Sequence, residues 1–171
     1  MSASLEETIN QLRELPEEEQ DAAADALSAY IASDERQYSL EPHHAAEVRR
    51  IKRDLANGRT RLATSDEACG GRSHNNLMQV RFTLDALAHV DVIHHYVELR
   101  SVYAAARITD RIFAEIDRLG RFSNLGRLGI VLGTLEWTVS GLPYVIVFER
   151  NEMEIIVLGI FHSRRARSSS R

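Results

Sequence analysis

Seven histidines are the residues of this chain best suited to metal or acid–base chemistry. Four of them form two adjacent pairs, His43-His44 and His94-His95. Neighbours along a helix do not share a face, so neither pair closes on one ion. His43 with Glu47 at i, i+4 is a single pair of donors, short of a metal site. The expectation is solvated helix histidines, with no metal and no cofactor. There is no Gly-Lys-Ser/Thr phosphate loop, no Gly-x-Gly-x-x-Gly turn and no nucleophile triad. The basic run Arg49-Arg50-Lys52-Arg53 could touch DNA from an exposed helix face, although such clusters are more often only solvated. Trp137 alternates with Leu135 and Val139, which points to packing rather than base stacking.

The elements that would carry these residues fall into two parts. Ser4 and Glu7 have capping-box spacing, and Leu5, Ile9, Leu12 and Leu15 follow at helical steps. Pro16 with Glu17-Glu18-Glu19 suits the first turn of a second helix, predicted to Ala32, with Ala22, Ala23, Ala26, Leu27, Tyr30 and Ile31 as its apolar face. Pro42 restarts a helix to Ala56, whose narrow stripe is Ala45, Val48, Ile51 and Leu55, and Gly58 stops it. Arg59 to Glu67 reads as extended, and Gly70 to Asn76 as a linker. Helices this thin bury too little to stand alone and need a partner.

From Met78 the pattern changes. Gln79 to Thr83 alternates like a short strand. Thr83 is placed to cap a helix with Leu84, Leu87, Val90, Ile93 and Val97 inward. Ser101 is placed to cap a second, with Val102, Ala105, Ile108, Ile112, Ile116 and Leu119 inward and Gly120 at its end. Two helices so closely joined form an antiparallel hairpin. The period then becomes two, with Val131, Leu135, Trp137 and Val139 on one face of a strand. Tyr144 to Glu149 is apolar on both faces, and Glu154 to His162 follows after a turn. Short turns between successive strands predict an antiparallel meander backed by the hairpin, an α+β fold.

At 171 residues, 44% of them hydrophobic and 27% charged, the chain has the composition of a globular domain or two small ones. The lone Cys69 allows no intrachain disulfide, which fits a reducing compartment. The sequence shows neither an apolar run long enough to span a membrane nor a secretory signal, so the expected location is cytoplasmic and no membrane partner is expected. Residues 1–70 hold eight Lys/Arg and fifteen Asp/Glu, a balance of −7, while residues 71–171 hold thirteen Arg and ten Asp/Glu, a balance of +3. Lys52 is the only lysine. Acidic and basic halves of this kind attract each other, or the basic half meets an anionic partner.

Residues 78–165 resemble the ParE branch of the RelE/ParE toxin superfamily, often labelled plasmid stabilisation proteins. The resemblance is carried by Arg81-Phe82-Thr83-Leu84-Asp85-Ala86-Leu87, by Gly126-Arg127 with Gly133-Thr134 and Glu136, by Gly141-Leu142-Pro143-Tyr144, and by Ile156-Val157-Leu158 with His162 and Arg165. Residues 1–67 are similar to the antitoxins encoded upstream of such toxins, through Leu12-Arg13-Glu14-Leu15-Pro16-Glu17-Glu18, Glu47-Val48-Arg49-Arg50 and Gly58-Arg59 with Arg61 to Glu67. The implied organisation is a helical antitoxin segment at 1–69, a linker at 70–77, a β-α-α-β-β-β toxin domain at 78–165 and a disordered tail at 166–171.

The resemblance implies a type II toxin–antitoxin module in one chain, whose two parts bind each other in cis or by exchange between copies, with a homo-oligomer among the outcomes. Ala45, Val48, Ile51, Leu55, Arg59 and Leu62 are the expected antitoxin–toxin interface. The toxin surface would carry Arg127, Arg150, His162, Arg164 and Arg165. ParE-like toxins imply inhibition of DNA gyrase by binding. RelE-like relatives instead imply ribosome-dependent mRNA cleavage, for which Arg127, Tyr144, His162 and Arg165 would supply the cations, acid and base. Val145 after Tyr144, where the nucleases commonly place Arg, and the lack of lysine in this half favour the binder. Leu135 stands where many relatives have Arg, and a non-toxic interaction module is the third reading.

Overall fold

The computed structural model describes residues 3–17, 19–21, 23–24, 40–69, 78–122 and 124–163. The chain divides into two compact units, Met1–Arg36 and Gln37–Arg171. In the first, helix α1 (Ala3–Arg13) opens one residue ahead of the expected cap at Ser4. The Gln20 amide donates to the last carbonyl of α1, Arg13 O, at 3.3 Å and to Leu15 O beyond the helix at 2.7 Å. Glu17, Glu19 to Asp21, Ala23 and Ala24 are helical, and the rest of the predicted second helix lies outside the described residues. So do the linker at 70–77 and the tail with Arg164 and Arg165.

The second unit runs α2 (Pro42–Ala56), β1 (Leu62–Thr64), α3 (Ser65–Cys69), β2 (Gln79–Thr83), α4 (Leu84–Glu98), α5 (Val102–Arg121), β3 (Arg127–Leu128), β4 (Leu135–Thr138), β5 (Tyr144–Arg150) and β6 (Glu154–His162). The strands form one sheet in the order β1-β2-β6-β5-β4-β3. Only β2 and β6 are parallel, and β3 to β6 form the expected meander. The architecture is α+β. Thr83 caps α4 by accepting the N–H of Ala86 at 3.1 Å, and Ser101 caps α5 by accepting that of Ala104 at 3.2 Å.

Several elements depart from expectation, each for a local reason. The segment expected to be extended to Glu67 turns helical at Ser65. Thr64 and Glu67 form a capping box, with Glu67 N–H donating to Thr64 Oγ1 at 3.3 Å and Thr64 N–H donating to Glu67 Oε2 at 2.9 Å. Gly120 does not end its helix, which continues to Arg121, and the buried Gly120 carbonyl accepts the N–H of Met78. Leu84 and Val102, expected inward, are 46% and 68% exposed, because each opens its helix a turn away from the residues that face the sheet. Val131 does not share a face with Leu135, since residues 129–134 form a turn and not a strand. The Thr134 hydroxyl and N–H both donate to Val131 O, and Gly129 N–H donates to Thr134 O.

The sheet is apolar on both faces. Tyr144, Ile146 and Phe148 of β5 point to the α4–α5 hairpin, together with Ile155, Val157 and Ile160 of β6 and Trp137 of β4. Val145 and Val147 point the other way, with Leu158, Phe161 and Val131. Leu158 is the extra residue of a bulge, where Val147 pairs with Gly159 and Phe148 with Val157, so the faces of β6 exchange parity there. An antiparallel strand buried on both faces needs two covering layers. The second layer is α2.

Candidate functional site: the sheet face under helix α2

Helix α2 exists because Pro42 starts it and its apolar residues recur at three- and four-residue steps. Those residues meet the exposed side of the meander. Ala45, Val48 and Ile51 are buried among Val131, Val145, Val147, Leu158 and Phe161, with Leu55 packed at the margin. Fully burying Val48 and Ile51 contributes about 1.5–3 kcal/mol each.

Polar ties flank this stripe on both sides. Towards α4, Arg50 Nη2 reaches Asp85 Oδ1 at 2.7 Å while Nη1 holds Asp54 at 3.2 Å, and the hydrogen bond to Asp85 raises the Arg50 pKa further. On the same side Glu47 Oε1 lies 3.0 Å from His89 Nε2. Towards β4, Lys52 Nζ donates to Leu132 O at 2.7 Å and pairs with Glu149 Oε1 at 3.1 Å. At the start of α2, His44 Nε2 donates to His162 O at 3.2 Å and its ring sits 4.9 Å from that of Phe161. Burial, then the neighbouring His43, hold the His44 pKa below the ordinary histidine value. His44 and His94 are thus half-buried and hydrogen-bonded where solvated histidines were expected, while His43 and His95 are exposed. Among the described residues no group of three or more His, Cys, Asp or Glu could hold a metal ion.

The same chain also covers the edge of the sheet. Leu62, Ala63 and Thr64 pair antiparallel with Thr83, Phe82 and Arg81, and Ala63 is buried in the hairpin-side core. Leu62 is half-buried in this strand, whereas Arg59 is exposed and only its N–H engages, on Asp54 O at 2.8 Å. The extended segment thereby pairs the strand edge that β2 would otherwise leave open.

Of the cations proposed for the toxin surface, Arg127 and Arg150 are held by partners, His162 is exposed, and Arg164 and Arg165 lie outside the described residues. Arg127 reaches Glu136 Oε2 at 3.4 Å, and buried Glu136 also accepts the N–H of Ile130 at 3.1 Å. Arg150 donates to Leu125 O at 2.8 Å. Tyr144 and His162 do meet, their rings edge to face at 5.5 Å. Tyr144 is buried, and desolvation, with Tyr96 nearby, raises its pKa. Tyr144 and Arg150 stand at opposite ends of β5, about 20 Å apart at strand rise. Arg49 and Arg53 of the basic run are exposed, while Arg50 and Lys52 are held in the ties above. Sequence reasoning missed the ties made by Glu47, Lys52, Asp85, His89 and Glu149, and the charge balance of the halves did not signal them, because Arg50–Asp85 and Lys52–Glu149 run against it.

No helix among the described residues is long and apolar enough to cross a membrane. A solved chain of the chromosomal ParDE TA system from P. aeruginosa is 28% identical, with 52% of this chain covering 96% of it at a TM-score of 0.46. Y4kP of Sinorhizobium fredii (strain NBRC 101917 / NGR234), whose name places it among toxins, is 32% identical over 87 residues, which are 51% of this chain and 90% of that protein. Residues 80–167 match the family described as the ParE toxin of the type II toxin–antitoxin system, parDE. The chain belongs to the ParE toxin family.

Proposed function

We propose that residues 40–69 are the neutralising part of the same polypeptide, and that they silence a toxin domain at 78–165 by occupying its sheet. The observation that carries this reading is the burial of Ala45, Val48 and Ile51 against Val145, Val147, Leu158 and Phe161. Without α2 these apolar side chains of the central strands would face solvent, and an uncovered patch of that kind marks a binding surface. The strand β1 on the β2 edge adds a second point of occlusion. Arg50–Asp85 and Glu47–His89 on one side of the helix, and Lys52–Glu149 on the other, hold it over the sheet.

The target of the freed toxin is DNA gyrase, inhibited by binding, in the cytoplasm. Support comes from the state of the groups that RNA cleavage would need. Tyr144 is buried and Arg127 is held by buried Glu136. Ribosome-dependent mRNA cleavage and a non-toxic interaction module are the competing readings. Leu135 packs against the core instead of adding positive surface, which is the observation favouring the last.

The test is bacterial growth on inducing residues 78–171 against the full chain. Arrest by the fragment alone supports toxin and antitoxin together. Supercoiling and translation assays on the arrested cells then separate gyrase from ribosome. A folded fragment that leaves growth untouched overturns the toxin reading.

A further inference from the structure

We propose that Lys52, Glu149 and the 129–134 turn form a recognition lock, by which the toxin fold accepts only a helix carrying a long point cation at this position. This inference rests on the reading of α2 as the neutralising helix. Lys52 is the only lysine in the chain. Its side chain is 26% exposed and extends across the rim of the sheet to β5 and the turn. The ammonium donates to Leu132 O at 2.7 Å and meets Glu149 Oε1 at 3.1 Å. Two of its three donors are therefore spent on the toxin side.

The seat for the ammonium depends on Gly133. A Cβ built on Gly133 would stand 2.9 Å from Lys52 Nζ. A Cβ there would press on the ammonium, whose flexible stem would have to shift, and the backbone of Gly133, at φ +78°, is one that side-chain-bearing residues rarely adopt. The turn is further tied to α2 through Val131, which is buried in the same cluster as Val48 and Ile51. The lock thus joins a backbone carbonyl, a carboxylate and a missing side chain, all on the toxin side, around one charge on the helix. An arginine carries the same charge on a wider, planar group that would have to reseat in the space over Gly133. A neutral residue would leave Glu149 without its cation. Apolar packing alone accepts many helices of similar volume, so this contact is where a foreign antitoxin helix would be refused.

The experiment is hydrogen exchange on the full chain, comparing amides of 42–56 with those of β5 and β6 as an internal reference. The variants are Lys52→Met, Glu149→Gln and both together. Lys52→Met keeps the apolar stem and removes the charge. The expected result is faster exchange in 42–56 by roughly tenfold or more, with β5 and β6 unchanged. Glu149→Gln should give a smaller acceleration, and the double variant should match Lys52→Met alone, as for two groups in one interaction. Exchange within about twofold of the parent, or a double variant equal to the two single effects combined, overturns the lock. Val48→Asp with Ile51→Asp separates this from the parent reading. If that pair arrests growth while Lys52→Met leaves exchange unchanged, the lock fails and neutralisation in cis stands. If Lys52→Met loosens 42–56 while the Val48→Asp, Ile51→Asp pair leaves growth untouched, Lys52 ties α2 to the sheet but α2 is not what neutralises, and the recognition reading falls with it.

Discussion

The main-chain N–H of Ile160 donates to Nδ1 of His89 at 3.2 Å, so a side chain of α4 takes the place of a strand partner on β6. It does so because β2 ends at Thr83, its pairing with β6 having reached only Val157. An Nδ1 that accepts leaves the ring proton on Nε2, which faces Glu47 Oε1 at 3.0 Å. One imidazole therefore joins the sheet, the hairpin and α2. The ring reaches this position across Gly159, where a Cβ would lie 3.0 Å from His89 Cε1 and 2.7 Å from Phe161 Cε2.

Substituting His89→Leu leaves the Ile160 N–H without its acceptor and Glu47 without its donor. The expected cost is about 1–3 kcal/mol of unfolding free energy. Gly159→Ala, which pushes the His89 and Phe161 rings aside, is expected to cost a similar ~1–3 kcal/mol. Urea unfolding of the full chain checks both, and unchanged midpoints would show that the bridge contributes nothing.

Val48→Asp with Ile51→Asp places two carboxylates against the apolar face of β5 and β6. The loss of two buried side chains and the burial of charge should detach α2 at a cost of at least ~4 kcal/mol. Growth arrest on inducing the full-length variant is the expected outcome. Continued growth, with the variant folded and expressed as the parent is, would place neutralisation elsewhere.

His44 gives the α2 contact a pH dependence of known sign. Its pKa in the folded chain lies below the ordinary 6.5, through burial first and then through His43, with the His162 carbonyl, Glu47 and Glu41 opposing. The unfolded chain therefore takes up this proton first as pH falls. The contribution is complete above 6.5 and is lost as pH drops from there through the folded value. Thermal melts from about pH 8 to about pH 5 should show a shallower decline for His44→Gln than for the parent. Parallel curves for the two proteins would exclude the effect.

Trp137 Nε1 donates to Glu115 Oε2 at 2.9 Å, and Glu115 is only 2% exposed, with Arg111 and Arg118 as its ion-pair partners. Trp137→Phe keeps the aromatic packing and removes the donor. A loss of about 1–3 kcal/mol is expected, recovered in part by adding Glu115→Gln, which removes the buried charge. Equilibrium unfolding of the single and double variants gives the coupling between them.

Much of the architecture is local and therefore legible in the amino-acid order. Thr83 and Ser101 precede their helices at capping distance, so α4 and α5 can be placed without a structure. The two-sided apolar pattern of Tyr144 to Phe148 already demands two covering layers. The stripe Ala45, Val48, Ile51 and Leu55 offers one of them. Other features exist only once distant segments meet. A three-residue strand such as Leu62–Thr64 has no periodicity to read, and its role comes from the open edge of β2. Val131 turned to the opposite face from Leu135 because Thr134 closes a tight turn, which period-two alternation cannot register. Lys52 meets a carbonyl 80 residues away, and a carboxylate beyond it. Periodicity and capping act over a few residues and can be counted along the chain. Charge pairing and edge completion depend on which surfaces the tertiary fold brings within hydrogen-bond distance, and that decided the site.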